Sequence, residues 1–400
     1  MLKTGQVPGS KEQHMQRKPA ISHHGNPSAL LRATCTPLAS IFGSGFLVMV
    51  PILAGAVGIY AVVAMALVCA LAYCVGTVIR FNIRFAEPVL KNNPPESTLT
   101  FERSSDLALV LAYVISVSLY LHILSAFVLG SLHLDTQFNE DLLTSAVIAF
   151  IVTIGISRGL KGLAAIEGLA LVVTLVIIVL LIGSFALYDL HAWQSPRGLQ
   201  FFQANPHSLW EILTIVAGTL IVVQGFETTR YLGDTFDTGT RIRASRLSQI
   251  VSTAVYLVFI SLSLPLVHTL NGKYGDNSLI HIAAAASAML VAPLVVAAAM
   301  SQFSAAVADT LAATGNLEEV THHQLKIRFA TVLVGGGAIA LTWTADTMEI
   351  VSLASRAFAF YYLLQCLVAI SVSQSTRQRI FFALIAAALG FIAVFAVPAS

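Results

Sequence analysis

Ala39-Ser40-Ile41-Phe42-Gly43-Ser44-Gly45-Phe46-Leu47 lies in the middle of the first long apolar segment. A Gly-Ser-Gly run there is a weak place, because glycine costs roughly 1 kcal/mol per residue relative to alanine in a helix interior. In a segment that must cross lipid, broken backbone is tolerated only where protein or a polar cavity covers it. The break therefore points to a site rather than a simple anchor. About 180 residues further on, a second long apolar segment is interrupted at Gln224-Gly225-Phe226-Glu227-Thr228-Thr229-Arg230. Two interrupted helices in corresponding positions of two halves mark the central site of a secondary transporter.

Composition supports the membrane reading. The chain is 56% hydrophobic and 10% charged, against about 25% charged in ordinary soluble domains, and its mean hydropathy is +0.81. Four hundred residues at roughly 20 per span allow about 10 to 12 spanning helices and leave no room for a large soluble domain. Cys35, Cys69, Cys74 and Cys366 all fall in apolar segments without metal-like spacing, so they read as small core residues.

Residues 1–29 carry Lys3, Lys11, Arg17 and Lys18 among Gly, Pro, Ser and His, and read as a disordered basic tail. Apolar segments then run over 30–53, 58–79, 106–129, 142–156, 163–187, 210–232, 248–270, 279–311, 329–343, 348–372 and 380–397. The expectation is eleven helices. With the N-terminus inside, 18 of the 22 Lys and Arg fall on the inner side, only Arg197 and Lys273 fall outside, and Arg230 and Arg356 lie within or at the edge of helices. Cytoplasmic loops carry such an excess, so the N-terminus is expected in the cytoplasm and the C-terminus outside, in an inner (plasma) membrane of bacterial type. Nothing resembles a nucleic-acid-binding surface.

The first five helices (30–190) and the next five (191–372) each open with a broken helix. Because five is odd, the second set enters from the opposite side, as an inverted-topology repeat requires. The last helix, within 373–400, stands outside the repeat and suits packing or oligomer contacts.

Ile41-Phe42-Gly43-Ser44-Gly45-Phe46 resembles the first-helix glycine-serine-glycine motif of the amino acid-polyamine-organocation (APC) superfamily, and Gly225-Phe226-Glu227 is similar to that family's sixth-helix motif. Tyr231-Leu232-Gly233-Asp234 through Arg241, Arg243 and Arg246 resembles its acidic-then-basic connection into the seventh helix. The resemblance implies an all-α polytopic membrane protein with the leucine-transporter-type 5+5 inverted repeat. It also implies a permease for an amino acid or related organic amine, working by alternating access and coupled to H+ or Na+, with no cofactor. There are departures. The fifth helix, near Thr174, has no Lys or Arg where some proton-coupled members carry a lysine, and a twelfth helix is missing. The Asp-Pro-Gly and Met-Pro-His of related divalent-metal transporters are absent, so a metal substrate is not expected.

The breaks suggest a mechanism. The N–H groups of Ser44, Gly45 and Phe46 would lack intrahelical partners at a positive helix end, which suits a carboxylate. Free carbonyls near Val223 and Gln224 suit an ammonium group. Ile41, Phe42, Gly43, Ser44, Gly45, Gln224, Gly225, Phe226 and Glu227 are therefore the expected substrate-binding residues. The alternative is that Gly43 and Gly45 merely allow close helix packing. Tyr120, with Tyr113, could add a hydroxyl from the third helix. Phe226 reads as a lid, as the resemblance also implies, or as a packing residue.

Intramembrane charges are functional candidates by default. Glu227 is expected to titrate or contact a cation, or to hold loosened backbone or pair with Arg230. Arg356 must find a partner among Glu227, Asp309 and Glu167, as a gating or a static pair. Glu167 and Asp309 read as interface residues near inner helix ends. The resemblance implies a possible sodium site at Ala39, Phe42, Ser301 and Ser304. His122, His268 and His281 read as packing or interface residues rather than proton relays. An enzyme finds little support, since the chain has no His-Glu-x-x-His, no Gly-x-Ser-x-Gly and no clustered carboxylates of the metal-binding kind. A ligand sensor or scaffold on the same fold, or a permease for a non-amine solute, stays open.

Overall fold

The computed structural model describes residues 27–43, 45–92, 94–196, 198–201 and 207–398. Pro27 opens α1 (Pro27–Gly43), where its missing N–H removes nothing a helix start would use. The helix stops at the glycines and resumes as α2 (Met49–Val57), with the Gly45 carbonyl accepting from the N–H groups of Val48 and Met49 at 3.1 and 3.2 Å. This pair forms the first, interrupted span. The second is α3 (Ala61–Phe81), which runs through a wide π-helical turn at Asn82–Ala86 into α4 (Glu87–Lys91).

Then follow α5 (Glu96–Ser131), α6 (Gln137–Ser157), the short α7 (Lys161–Ala164) and α8 (Glu167–Gln194). The second half opens at Ser208, whose hydroxyl accepts from the Glu211 N–H while the Glu211 carboxylate accepts from the Ser208 N–H. That capping box starts α9 (Leu209–Ala217), which loosens into tight 3-10 turns at Leu220–Val223 and Phe226–Leu232. This is the sixth span and the second interrupted one. Asp237 caps α10 (Thr238–Ser263), and α11 (Ser278–Ala286), α12 (Val291–Val320), α13 (Ile327–Thr342), α14 (Thr347–Val372) and α15 (Thr376–Phe395) complete the chain.

Eight helical stretches among the described residues are long and apolar enough to cross a membrane. With the short α13 and the two interrupted helices they give eleven passes in the expected order. The two halves each contribute one interrupted helix. The long α12 packs along α5, α5 along α14, and α1 against α10 and the second part of the sixth span. The interrupted helices are thereby enclosed by continuous ones.

Two of the boundaries that differ from the sequence reading bear on the site. The apolar run 279–311 is two elements, because Ser287 adopts an extended conformation (φ −165°, ψ 125°) that ends α11. The span that follows reaches Val320. Asp309 accordingly stands 11 residues before the end of α12, about 16 Å at 1.5 Å per residue, and not at its edge. Cys35 is exposed and Cys74 half-buried, whereas Cys69 and Cys366 are buried.

Candidate functional site

The two breaks meet. Gly225 has φ +124°, and a Cβ there would stand 2.6 Å from the Ile41 backbone nitrogen and 2.7 Å from the Ser40 hydroxyl. Only glycine allows this approach. At Gly45 a Cβ would lie 2.8 Å from Val222, so the first break packs on the sixth span at a second point.

Side chains from continuous helices fasten the junction. The Tyr256 hydroxyl on α10 lies 2.8 Å from the Ile41 carbonyl and 3.0 Å from the Val222 carbonyl, and its single proton is shared between one carbonyl of each broken helix. The Ser355 hydroxyl on α14 donates to the Gly218 carbonyl at 2.6 Å and accepts from the Ile221 N–H at 3.0 Å. The Gln224 amide donates to the Tyr120 hydroxyl at 2.9 Å. Glu227 is 0% exposed, and one of its oxygens accepts from the Gly225 N–H at 2.8 Å and the Tyr362 hydroxyl at 2.6 Å. Phe226 stacks on Tyr362 with ring centroids 5.4 Å apart. Tyr256, Ser355 and Tyr362 carry no sequence signal that separates them from other hydroxyl residues in apolar helices.

Beside this junction lies a cavity of 390 Å³. Its deep wall includes Ser40, Phe42, Thr174, Ser301, Ser304 and Asp309, and its mouth includes Gly315 and Glu319. Gly315 and Glu319 are exposed while Phe42, Thr174, Ser304 and Asp309 are buried, so the cavity opens at the end of the bundle where α1 begins. A second space of 200 Å³, bordered by Glu87, Glu102, Asp106 and Arg230, shares Tyr231, Asn316 and Glu319 with it and forms a vestibule. On the far side of the breaks, Phe46 packs against Phe259 with centroids 4.4 Å apart, and Phe42 meets Tyr256 edge-on at 5.7 Å. These buried rings seal the opposite end.

Most expected residues fall at or next to the junction. Ala39, Phe42, Ser301 and Ser304, the sodium set, share the cavity wall, and the buried Thr174 hydroxyl on the same wall has no hydrogen-bond partner. Gly43 packs 3.1 Å from the Ala305 Cβ at a notional Cβ position. Ser44 lies outside the described residues. Ile41, Gly45, Gln224, Gly225, Phe226, Glu227 and Tyr120 are packed within the junction and do not form the cavity wall.

Two pairings come out otherwise than expected. Arg230 pairs with Glu102 of α5 and not with Glu227. Arg356 meets none of Glu227, Asp309 or Glu167. It is exposed, and its Nε donates to the Ala393 carbonyl at 3.0 Å. Carbonyls in the last turn of a helix lack intrahelical partners, so the end of α15 supplies what an acid was expected to supply. Asp309, by contrast, is 7% exposed and lines the cavity, with one carboxylate oxygen sealed from solvent and unpartnered. Glu167 also lines the cavity, half-buried near its mouth. His122 is buried and contacts Asp141 at 3.3 Å away from the cavity. Among the described residues, no group of three or more His, Cys, Asp or Glu is placed to hold a metal ion.

Two interrupted spans meeting among continuous helices beside a one-ended cavity define a transporter of the leucine-transporter fold class. A family model described as APC superfamily transporter matches residues 24–396, and the chain belongs to that superfamily. An uncharacterized protein of Aquifex aeolicus (strain VF5) is 38% identical over 352 residues, 87% of this chain and 85% of that one. Among solved structures, the manganese transporter of Eremococcus coleocola is similar at 13% identity, over 92% of this chain and 86% of that one, with a TM-score of 0.54. Mhp1, a nucleobase-cation-symport-1 family transporter in a closed conformation with bromovinylhydantoin bound, is similar at 14% identity, over 85% and 77% of the two chains, with a TM-score of 0.55. At these identities the structural likeness speaks for the fold alone.

Proposed function

We propose that the protein is a secondary transporter for a small organic amine, caught open toward the cytoplasm. The observation that carries this reading is the cavity wall. It bears Glu167, Asp309 and Glu319 and, among the described residues, no Lys, Arg or His. An acid-lined, low-dielectric cleft concentrates cations and repels anions. Of the Ser44, Gly45 and Phe46 N–H groups expected to hold a carboxylate, Ser44 lies outside the described residues, Gly45 packs on Val222, and neither Gly45 nor Phe46 lines the cavity. An amine without an obligatory carboxylate therefore suits this wall better than a zwitterionic amino acid.

The excess of Lys and Arg at the end where the cavity opens supports a cytoplasmic position for that end, in a bacterial-type inner membrane with the C-terminus outside. Residues 30–190 and 191–372 act as the two halves of the inverted repeat, with 373–400 as an added helix. The Val397 N–H donates to the Thr214 carbonyl at 3.1 Å, and Trp210 packs edge-on against Phe391 and Phe395, so the added helix braces the first half of the sixth span. The coupling ion is a proton. A second reading, sodium, is favoured by the unpartnered Thr174 hydroxyl beside Ser301 and Ser304, since sodium takes hard oxygen ligands.

Thermal unfolding of the detergent-purified protein against amines, amino acids and neutral or anionic solutes tests the substrate class. A ligand at 100 times its Kd stabilises the folded state by about 2.7 kcal/mol. Stabilisation by an amine, followed by saturable uptake into proteoliposomes, is the expected result. Stabilisation by anions or neutral solutes alone would overturn it, and uptake lost on replacing sodium with potassium would select the second reading of the coupling ion. Binding without uptake would instead mark a sensor.

A further inference from the structure

Among the described residues, Asp309 is the one acid on the deep wall of the cavity, away from the mouth that Glu319 and Gly315 form. One of its oxygens is sealed and has no donor. Ser116 of α5 reaches it across the interface, but that hydroxyl's single proton also serves its own helix, at the Ala112 carbonyl, at 3.0 Å. An ionised carboxylate in such a place carries a large desolvation penalty unless a cation compensates it.

Among the described residues, the groups that face it supply none. From α5 come Tyr113 and Tyr120, and from the sixth span Glu227. The cavity adds Glu167 of α8, Tyr231 of the sixth span and Glu319 of α12, and α1 presents Thr36, Ser40 and Phe42 there. None of these is basic. Only something that enters the cavity can neutralise Asp309: a proton on the carboxylate, or a positively charged solute against it. Glu227 is differently placed. Its second oxygen is also unpartnered, but the first already takes two fixed donors and the residue lies off the cavity wall.

We infer that Asp309 is a single anchor occupied in turn by a proton and by the ammonium group of the substrate, so that the protein exchanges one for the other. This rests on the amine reading above and specifies its site and coupling. The step balances: the carboxylic acid and RNH3+ give the carboxylate–RNH3+ pair and one proton released through the mouth. The two occupants exclude each other. A protonated acid offers an ammonium only an ion–dipole hydrogen bond, whereas the ionised form adds the attraction of opposite charges in a low-dielectric site.

The test is proton release on binding, read in weakly buffered solution with the purified full-length protein. The probe is whichever amine gives the largest thermal shift in a series from ethylamine and putrescine to phenethylamine. Wild-type protein should release about one proton per amine bound where Asp309 is protonated, with affinity rising about tenfold per pH unit there and levelling off above. Asp309→Asn should bind at least tenfold more weakly, with no pH dependence and no proton release. Asp309→Glu, which keeps the acid, should retain both, so a folding failure of the Asn variant leaves the wild-type and Glu measurements to decide. An amine that binds wild-type protein without proton release, or equally well to Asp309→Asn, overturns the inference and leaves the amine reading standing. If nothing in the series binds, the amine reading falls and this assignment falls with it.

Discussion

Gly225 and Ile41 approach so closely that a single methyl group on Gly225 would lie 2.6 Å from the Ile41 nitrogen. The contact joins the sixth span to the first at the point where each loses its regular hydrogen bonds. It also fixes which residue can stand there, since φ at Gly225 is +124°. Gly225→Ala combines backbone strain of order 1–3 kcal/mol with overpacking of about 1–3 kcal/mol. A fall of many degrees in melting temperature with loss of uptake is expected. Gly336 of α13 is the control, because a Cβ there meets nothing within 4 Å. Gly336→Ala should be neutral or stabilise by up to about 1 kcal/mol through helix propensity. Equal melting temperatures for the two variants would mean that the breaks do not touch.

Tyr256 tests the junction from the other side. Its hydroxyl serves the Ile41 and Val222 carbonyls and is fully buried. Tyr256→Phe keeps the ring packing against Phe42 and Phe46 and removes the hydroxyl that bridges the two broken spans. Losing a buried hydrogen bond costs about 1–3 kcal/mol, and the shared proton places the loss at the lower end. The melting temperature should fall and amine affinity with it, because the bridge also steadies the wall at Phe42. A variant as stable as wild type would show that water replaces the hydroxyl.

Glu227 is placed to hold backbone. Removing its side chain strands the Gly225 N–H and the Tyr362 hydroxyl, both buried. Glu227→Ala is therefore expected to destabilise by about 1–3 kcal/mol for each stranded donor. Glu227→Gln keeps an acceptor oxygen and should cost far less. It should also retain pH-dependent amine binding, since the exchanging carboxylate is Asp309. Flat pH dependence in a folded Glu227→Gln protein would transfer that role to Glu227.

How much of this was legible follows from what each signal depends on. The interrupted helices were visible because glycine is costly inside a helix, and the eleven passes because basic residues sort to one side. Asp309 was read as an interface residue, and not as a deep one, for a local reason. Residues 312–320, Ala-Ala-Thr-Gly-Asn-Leu-Glu-Glu-Val, look polar enough to end a span, yet they continue α12 by nine residues and carry the acid deep into the bundle. Arg356 was misjudged because a charge within a span was assumed to need an acid. Tyr256 had no mark at all, being one of 10 tyrosines, and only the fold brings it between two broken ends.

Arg230 and Glu102 give a prediction about the vestibule. Their side chains are 9% and 14% exposed, and the second Glu102 oxygen accepts from the Gln365 amide at 3.3 Å. Asn82 in the π-helical turn donates to the same Gln365 side chain at 2.8 Å. The second, third, sixth and tenth spans are thus tied at one end through the Glu102 carboxylate and the Gln365 amide. Removing one partner of a buried ion pair costs about 3–5 kcal/mol, because the other charge is left uncompensated. Glu102→Gln strands the guanidinium, and Arg230→Gln strands the carboxylate among the vestibule acids Glu87 and Asp106. Both single variants should unfold at clearly lower temperature. The double variant should lose less than the two single losses together, with a coupling of about 0.5–3 kcal/mol. Because burial shields the pair from counterions, that coupling should survive high salt. Additive losses, or a coupling that vanishes as salt rises, would show the pair to be solvated and the four spans to be held together by packing alone.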